Sequence, residues 1–228
     1  MAKRRAAALW TVLLAIGFST LAETPVWSQS HGPIEITKAY GSKTAPITME
    51  VFSDFECPSC KGLYEQTLKM LISDYVASGK VYLIHRDFPL PMHKYSWKAA
   101  RYADAAAEIG KFPQVEAALF DNQSAWSTDG SFAKYVEQAV GPADMTTIEK
   151  RVSACKDDSG VAQPKQDEPE HHSCPLDDAI WHDVALGNKV PVQATPTFVV
   201  TYKGKPSTTS GVVSYAVLKQ YFDYLLSH

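Results

Sequence analysis

Residues 47–62 read Ile47-Thr-Met-Glu-Val-Phe-Ser-Asp-Phe-Glu-Cys57-Pro58-Ser59-Cys60-Lys-Gly62, and this stretch organises the chain. An apolar, β-branched run predicts a strand over 47–53, and a turn over 54–57 delivers two cysteines to the start of a helix. Cys57 then sits where unpaired backbone N–H groups and the helix dipole favour an anion, which lowers a thiol pKa. Cys60 follows one turn later, close enough to close a small disulfide with Cys57. Pro58 suits the first helical position, because the N–H it lacks has no partner there. The pattern implies a redox dithiol. Half of a zinc site is the other reading, but it needs two more ligands at matching spacing, and Cys155 with Cys174 does not form a second knuckle.

Working outward, the helix from Pro58 carries Leu63, Leu68, Leu71, Ile72 and Val76 on a 3.6-residue repeat and is expected to end near Ser78-Gly79. A second strand follows from Lys80, its end placed near His85 because Arg86 and Asp87 break the apolar pattern. Strand, helix and strand make a βαβ unit with a right-handed crossover. Helices are expected over 96–109, 112–120, 131–139, 144–154 (with Asp144 as N-cap) and 176–186, a block without strand patterning. Residues 156–175 hold three prolines and few apolar side chains, which predicts a loop. A strand over 197–202, a turn at Lys203-Gly204-Lys205, a partner strand over 206–210 and a helix from Ser214 to Leu226, capped by Ser214, close the chain. The fold class is therefore α/β.

The chain has 228 residues and a formal charge of −3, which excludes a strongly basic nucleic-acid binder. Lys3-Arg4-Arg5, the apolar run Ala6–Phe18 and Thr20-Leu21-Ala22 have the layout of a signal peptide over 1–22, with a second cleavage site at residue 28. The run is too short to span a bilayer. Removing those three cations takes the formal charge from −3 to −6. Residues 23–40 read as a leader. Export places the four cysteines in an oxidising compartment, where an even count implies disulfides. Cys155 and Cys174 are expected as a structural disulfide closing a loop of about 20 residues, worth about 3 kcal/mol. Two other readings stand beside it: a second redox pair exchanging with Cys57–Cys60, and a metal site of His171, His172, Cys174 and Cys155 or His182. Asp54, Glu56 and Lys61 flank the dithiol and could tune its pKa, with surface charge as their default reading. His85 and His93 read as packing or capping residues outside the site, and Trp97, Trp126 and Trp181 as core or interdomain packing.

Four motifs occur in order: Phe52-Ser-Asp-Phe-Glu-Cys-Pro-Ser-Cys-Lys61, Arg86-Asp-Phe-Pro-Leu90 with His93, the Ala99–Ala107 helix leading to Gly110-Lys-Phe112, and Ala194-Thr-Pro-Thr-Phe198. The chain thereby resembles the DsbA-like branch of thioredoxin-fold thiol:disulfide oxidoreductases. The resemblance implies a thioredoxin-like domain from 41–91 and 191–228, with a helical insertion over 92–190. It implies Cys57 as the exposed attacking sulfur and Cys60 as the buried resolving one, with Pro58-Ser59 as the active dipeptide. It also implies a cis Thr195-Pro196 bond beside the dithiol, and a Thr195 backbone free to pair with an extended substrate. The implied activity is oxidation of reduced secreted proteins in the periplasm or another extracytoplasmic space. The implied partner is a membrane reoxidant of the DsbB or vitamin K epoxide reductase type, with a monomeric protein and no cofactor or metal. Reductase or isomerase work is the alternative, and a thiol/histidine metal-binding protein a further one. Three departures stand out. The 156–175 segment is long, Ala194 replaces a common glycine, and Val51 occupies a position, six before Cys57, where many relatives carry an acid. Glu50 next to it is expected to face the other side of the strand.

Overall fold

The computed structural model describes residues 37–155 and 174–228, which belong to one compact unit. The expected signal peptide, most of the leader and residues 156–173, with His171 and His172, lie outside the described residues. Among the described residues no helix is long and apolar enough to cross a membrane.

The order begins with β1 (Ala39–Tyr40) and β2 (Ile47–Ser53). A long helix follows: α1 (Pro58–Leu63), a π-helical turn (Tyr64–Leu68), α2 (Lys69–Leu71) and a second π-helical turn (Ile72–Val76). Then come β3 (Val81–Asp87), α3 (Ser96–Ala107), α4 (Phe112–Asp121), α5 (Gln123–Trp126), α6 (Ala133–Val140) and α7 (Pro142–Val152). The chain closes with α8 (Pro175–Lys189), β4 (Thr197–Tyr202), β5 (Lys205–Ser210) and α9 (Tyr215–Ser227).

The sheet order is β1-β3-β2-β4-β5; β2 runs parallel to β3, and the other pairs are antiparallel. Gly41, at φ +87°, turns the chain from β1 toward β2 at a spot where a Cβ would meet the Val81 carbonyl and a Val76 methyl at 2.8 Å. On one sheet face Ile47, Met49, Val51, Leu83 and His85 are buried. On the other, Glu50, Phe52 and Arg86 meet α8, where Gly187 lets the helix lie on the Phe88 and Phe52 rings. α9 packs on the long helix through Phe222 against Tyr75, centroids 5.5 Å apart. The insertion has its own aromatic centre, in which fully buried Trp126 meets Phe132 edge-on and donates its indole N–H to the Leu119 carbonyl at 2.8 Å.

Several local expectations differ from the structure. β3 continues to Asp87 rather than ending at His85, because distant charges satisfy its polar end. The Lys38 ammonium is 4% exposed and contacts Asp87, Asp104 (2.7 Å) and Asp183 (2.8 Å), while Arg86 binds Glu50 at 2.7 Å and Asp183 at 3.0 Å. The end of the presumed leader, Lys38 to Tyr40, is thus part of the sheet and its charge cluster. Gly141, not Asp144, occupies the N-cap of α7, with Pro142 at the first position; the Asp144 carboxylate pairs with Lys111 at 3.0 Å instead. Ser214 occupies the N-cap of α9, but its side chain makes no capping bond. Lys205 belongs to β5, not to the turn, and α5 is a short helix that its local pattern does not announce.

Candidate active site

β2 ends at Ser53, and Asp54 to Glu56 turn the chain into α1. Cys57 is its N-cap, with extended backbone, and Pro58 its first residue. The Cys57 carbonyl accepts from the N–H of Cys60 (3.1 Å) and of Lys61 (3.2 Å), which closes the first helical turn. Cys57 and Cys60 are both free thiols, while the Pro58-Ser59 pair between them is exposed. Cys57 is more covered than an exposed nucleophile would be, at 6% against 2% for Cys60. The reason is Thr195, whose carbonyl oxygen lies 3.4 Å from the Cys57 sulfur. The Thr195-Pro196 bond is cis, and the Thr195 carbonyl brings the loop that enters β4 beside Cys57.

The two thiols are strongly unequal. Cys57 is drawn down to about 5, first by the hydrogen bond from the Cys60 thiol, which outweighs the opposing effect of burial. Thr195 and the N–H groups of Cys60 and Ser59 add to the same effect. The Thr195 hydroxyl is buried and has no hydrogen-bond partner among the described residues. Cys60 is pushed well above its ordinary value, first by burial and then by the neighbouring Cys57; the Ser53 side chain and the Asp54 N–H, 3.4 Å from its sulfur, only partly offset this. One sulfur is therefore an anion at neutral pH and the other a protonated thiol.

Asp54 is not surface charge. It is 2% exposed and its carboxylate accepts from the N–H of Glu56 (2.7 Å), the N–H of Leu90 (2.7 Å), His93 Nδ1 (2.7 Å) and the Ser96 hydroxyl. Glu56 is half-buried and accepts from the Tyr95 N–H at 2.7 Å. Lys61 is half-buried, its ammonium on Glu65 and on the Phe120 carbonyl. Gln123, on the unannounced helix α5, is 3% exposed and donates its amide to the Phe55 carbonyl (2.7 Å) and the Cys57 carbonyl (3.0 Å). No local signal marks Gln123, since only the folded insertion brings it to the active turn.

Behind β2, the apolar Val51 pairs in register with His85 on β3. His85 stacks on Phe55 (4.8 Å) and contacts Glu116 (3.0 Å) and Asp87 (3.3 Å). Burial opposes its charge, yet the two carboxylates raise it to about 9. Glu50 faces the opposite side and binds Arg86. Buried titratable groups thus lie one strand over from the position that Val51 leaves apolar.

Cys155 and Cys174 are joined in a disulfide that connects the end of α7 to the start of α8. Were it reduced, both sulfurs and an Asp177 oxygen would lie within 4.8 Å of one another. That carboxylate is already engaged by Trp97 Nε1 (2.8 Å) and by Arg101 (2.7 and 2.9 Å), which disfavours a cation there. His182 is exposed and lies 3.8 Å from Asp183.

The family profile described as Thioredoxin matches residues 35–209, most of the chain, including the dithiol and the cis-proline strand. The chain belongs to the thioredoxin family. Its fold is the DsbA-like form, with helices inserted between the βαβ unit and the cis-proline strand. Among solved structures it is similar to α-DsbA1 of Wolbachia pipientis (TM-score 0.64, 19% identity, 83% of this chain and 90% of that one). It is likewise similar to oxidised BdbD of Bacillus subtilis (TM-score 0.62, 19% identity, 86% and 95%). Among curated proteins, the probable disulfide bond formation protein D of Bacillus cereus is 23% identical over 163 residues, 72% of this chain and 69% of that protein. The Na(+)/H(+) antiporter NhaA 3 of Salinispora tropica is 38% identical over 84 residues; the match spans only 12% of that protein's length.

Proposed function

We propose that this thioredoxin-family protein is an extracytoplasmic thiol:disulfide oxidoreductase that works as an oxidase on reduced secreted proteins. The observation that carries the reading is the inequality of the two thiols, one held down to about 5 and the other pushed up by burial. A substrate thiolate attacks Cys57 of the Cys57–Cys60 disulfide; that S–S bond breaks, and Cys60 leaves and takes up a proton. A second substrate thiol, losing its proton, attacks the substrate sulfur of the mixed disulfide and expels Cys57. The substrate loses two electrons and two thiol protons, and the dithiol gains the two electrons. Because the Cys57 thiolate is stabilised, it is a good leaving group and the reduced form is favoured, which raises the potential. The exposed Pro58-Ser59 pair and the Thr195 backbone offer the surface an extended substrate would meet. A membrane DsbB-like or vitamin K epoxide reductase-like protein would take the electrons, and the signal-peptide pattern of residues 1–22 supports export. In this reading Cys155–Cys174 is a structural bridge outside the electron path.

The test is equilibration of the dithiol with glutathione together with titration of the thiolate absorbance. The expected results are a Cys57 midpoint near pH 5 and a potential above about −180 mV, between protein disulfide isomerase and DsbA. A potential near the −270 mV or so of thioredoxin, with Cys57 titrating near 8.5, would remove the oxidase reading. Cys60→Ala, with Cys57 first converted to a mixed disulfide with an aromatic thiol, is expected to accumulate a Cys57–substrate mixed disulfide with a reduced, unfolded protein as the aromatic thiol leaves, and Cys57→Ala treated in the same way is not.

A further inference from the structure

Asp54 connects three parts of the site. Its N–H points at the Cys60 sulfur (3.4 Å), and its carbonyl accepts the Cys57 N–H (3.1 Å). Its carboxylate gathers Leu90, His93 and Ser96 from the segment that opens the insertion. His93 is therefore fixed against the active turn by its Nδ1, and its side chain keeps 19% exposure. A cation in that place is cheap to solvate on one side and paired on the other. Asp54, Glu56 and Cys57 are the charged groups of the active turn that face it. The neighbouring Lys94 ammonium turns away over the Tyr95 ring, 5.1 Å from its centroid.

We propose that His93, clamped by Asp54, is a positioning residue whose imidazolium stabilises the Cys57 thiolate and so sets how strongly the dithiol oxidises. This deepens the oxidoreductase reading and rests on it. Geometry and charge both support the coupling. Asp54 holds His93 Nδ1 at 2.7 Å with its carboxylate and the Cys57 N–H at 3.1 Å with its carbonyl, and the His93 pKa is raised first by the Asp54 hydrogen bond and further by a negative Cys57. Linkage makes that effect mutual: whatever the thiolate does for the imidazolium, the imidazolium does for the thiolate. Cys60, Thr195 and the helix N–H groups exert the larger effects on Cys57, so the share of His93 is a modest one.

The sign follows. In the dithiol form Cys57 is an anion and His93 binds its proton more tightly; in the disulfide form that anion is gone and His93 binds it less tightly. Over the pH interval between those two values, reduction takes up an extra fraction of a proton. The potential there falls more steeply with pH than the thiols alone require.

His93→Asn tests this, because an asparagine amide can still donate to Asp54 but carries no charge. The expected result is a threefold to tenfold loss in the oxidising equilibrium with glutathione at pH 7, or about 15–30 mV. It comes with a matching rise in the Cys57 titration midpoint and loss of the extra slope in the pH–potential curve. If His93 only braces the turn, His93→Asn behaves as wild type while His93→Ala does not, and that outcome overturns the proposal. NMR titration of His93 in the unsubstituted protein provides a second measurement that needs no folded variant. Its pKa is expected to be higher in the dithiol than in the disulfide form, and equal values refute the coupling. The thiolate and imidazole titrations can be read even if the dithiol does not equilibrate with glutathione, so failure of the oxidase reading and failure of this inference are separable.

Discussion

Lys38→Met places the heaviest demand on the fold, because one ammonium faces three buried carboxylates. Lys38, Asp87, Asp104 and Asp183 are each at most 4% exposed, and they join the β1 edge to β3, α3 and α8. Removing the cation from a buried group of this kind costs about 3–5 kcal/mol, since the anions stay behind without compensation. Two cations remain: Arg86 reaches Asp183 at 3.0 Å and His85 reaches Asp87 at 3.3 Å. They place the loss near the lower bound, about 3 kcal/mol at pH 7. With a urea m-value of about 2 kcal/mol/M, the unfolding midpoint should fall by about 1.5 M. The pH dependence gives the sharper test. In the unsubstituted protein Asp87 is held well below its ordinary value despite burial, chiefly by Lys38, so its contribution is present above about pH 4 and lost as pH falls through the folded value. Asp104 is pushed the other way, first by burial, and weakens the fold as pH rises above about 4. Without Lys38, Asp87 loses the cation that holds it down and should follow Asp104, and the deficit should open between about pH 4 and 7. Urea unfolding of the oxidised protein at pH 4.5 and pH 7 measures it. A deficit under about 0.5 kcal/mol at pH 7, or one of equal size at both pH values, would refute the account.

Two further outcomes are expected. Gly187→Ala should cost about 1–3 kcal/mol in unfolding free energy, because the new methyl would meet the Phe88 ring at 2.5 Å and press on Phe52 at 3.2 Å from a helix that cannot back away without losing the sheet. Replacing Cys155 and Cys174 together by alanine should lower stability by about 3 kcal/mol, the loop-entropy value for a separation of 19 residues. The same variant should leave the potential of Cys57–Cys60 unchanged if the bridge lies outside the electron path.

What was legible in the sequence, and what was not, divides along the range of the interactions. β2 and β4 run over 47–53 and 197–202 as the apolar runs predict, because a strand buried by its neighbours displays its own periodicity. The Cys57-Pro58 helix start is legible for the same reason: its cause is local. β3 reads two residues short in the sequence because Arg86 and Asp87 look like a strand end until Glu50, Lys38 and Asp183 are brought to them from other elements. Asp54 reads as surface charge because none of its four donors is recognisable from spacing alone. Three of them come from residues 90–96, across the whole βαβ unit. His93 reads as a packing or capping residue, and it acquires meaning only through Asp54. Gln123 gives no signal in a short helix, yet its amide holds two carbonyls of the active turn.

Val51 sharpens the chemical question. No carboxylate on β2 faces the dithiol side, and the buried acids of that region, Asp87 and Glu116, are engaged by His85 one strand over. What touches Cys60 is the Asp54 N–H and the Ser53 side chain, both of which favour its thiolate and both of which burial outweighs. On the proposed reading this dictates the order of events in reoxidation. Cys57, ionised already, attacks the external disulfide first. Cys60 can give up its proton only afterwards, when Cys57 has become part of a mixed disulfide and no longer carries the negative charge that raised the Cys60 pKa. The step that needs a base is then deferred to the moment at which the Cys60 thiol is most acidic. An acid at the Val51 position is dispensable to the extent that this relief is large. Val51→Glu should therefore speed reoxidation of the dithiol by less than about tenfold, about 1.4 kcal/mol of barrier. The rate is read by stopped-flow fluorescence against a small disulfide at pH 7, and an acceleration of a hundredfold or more would show that deprotonation of Cys60 limits the unsubstituted protein.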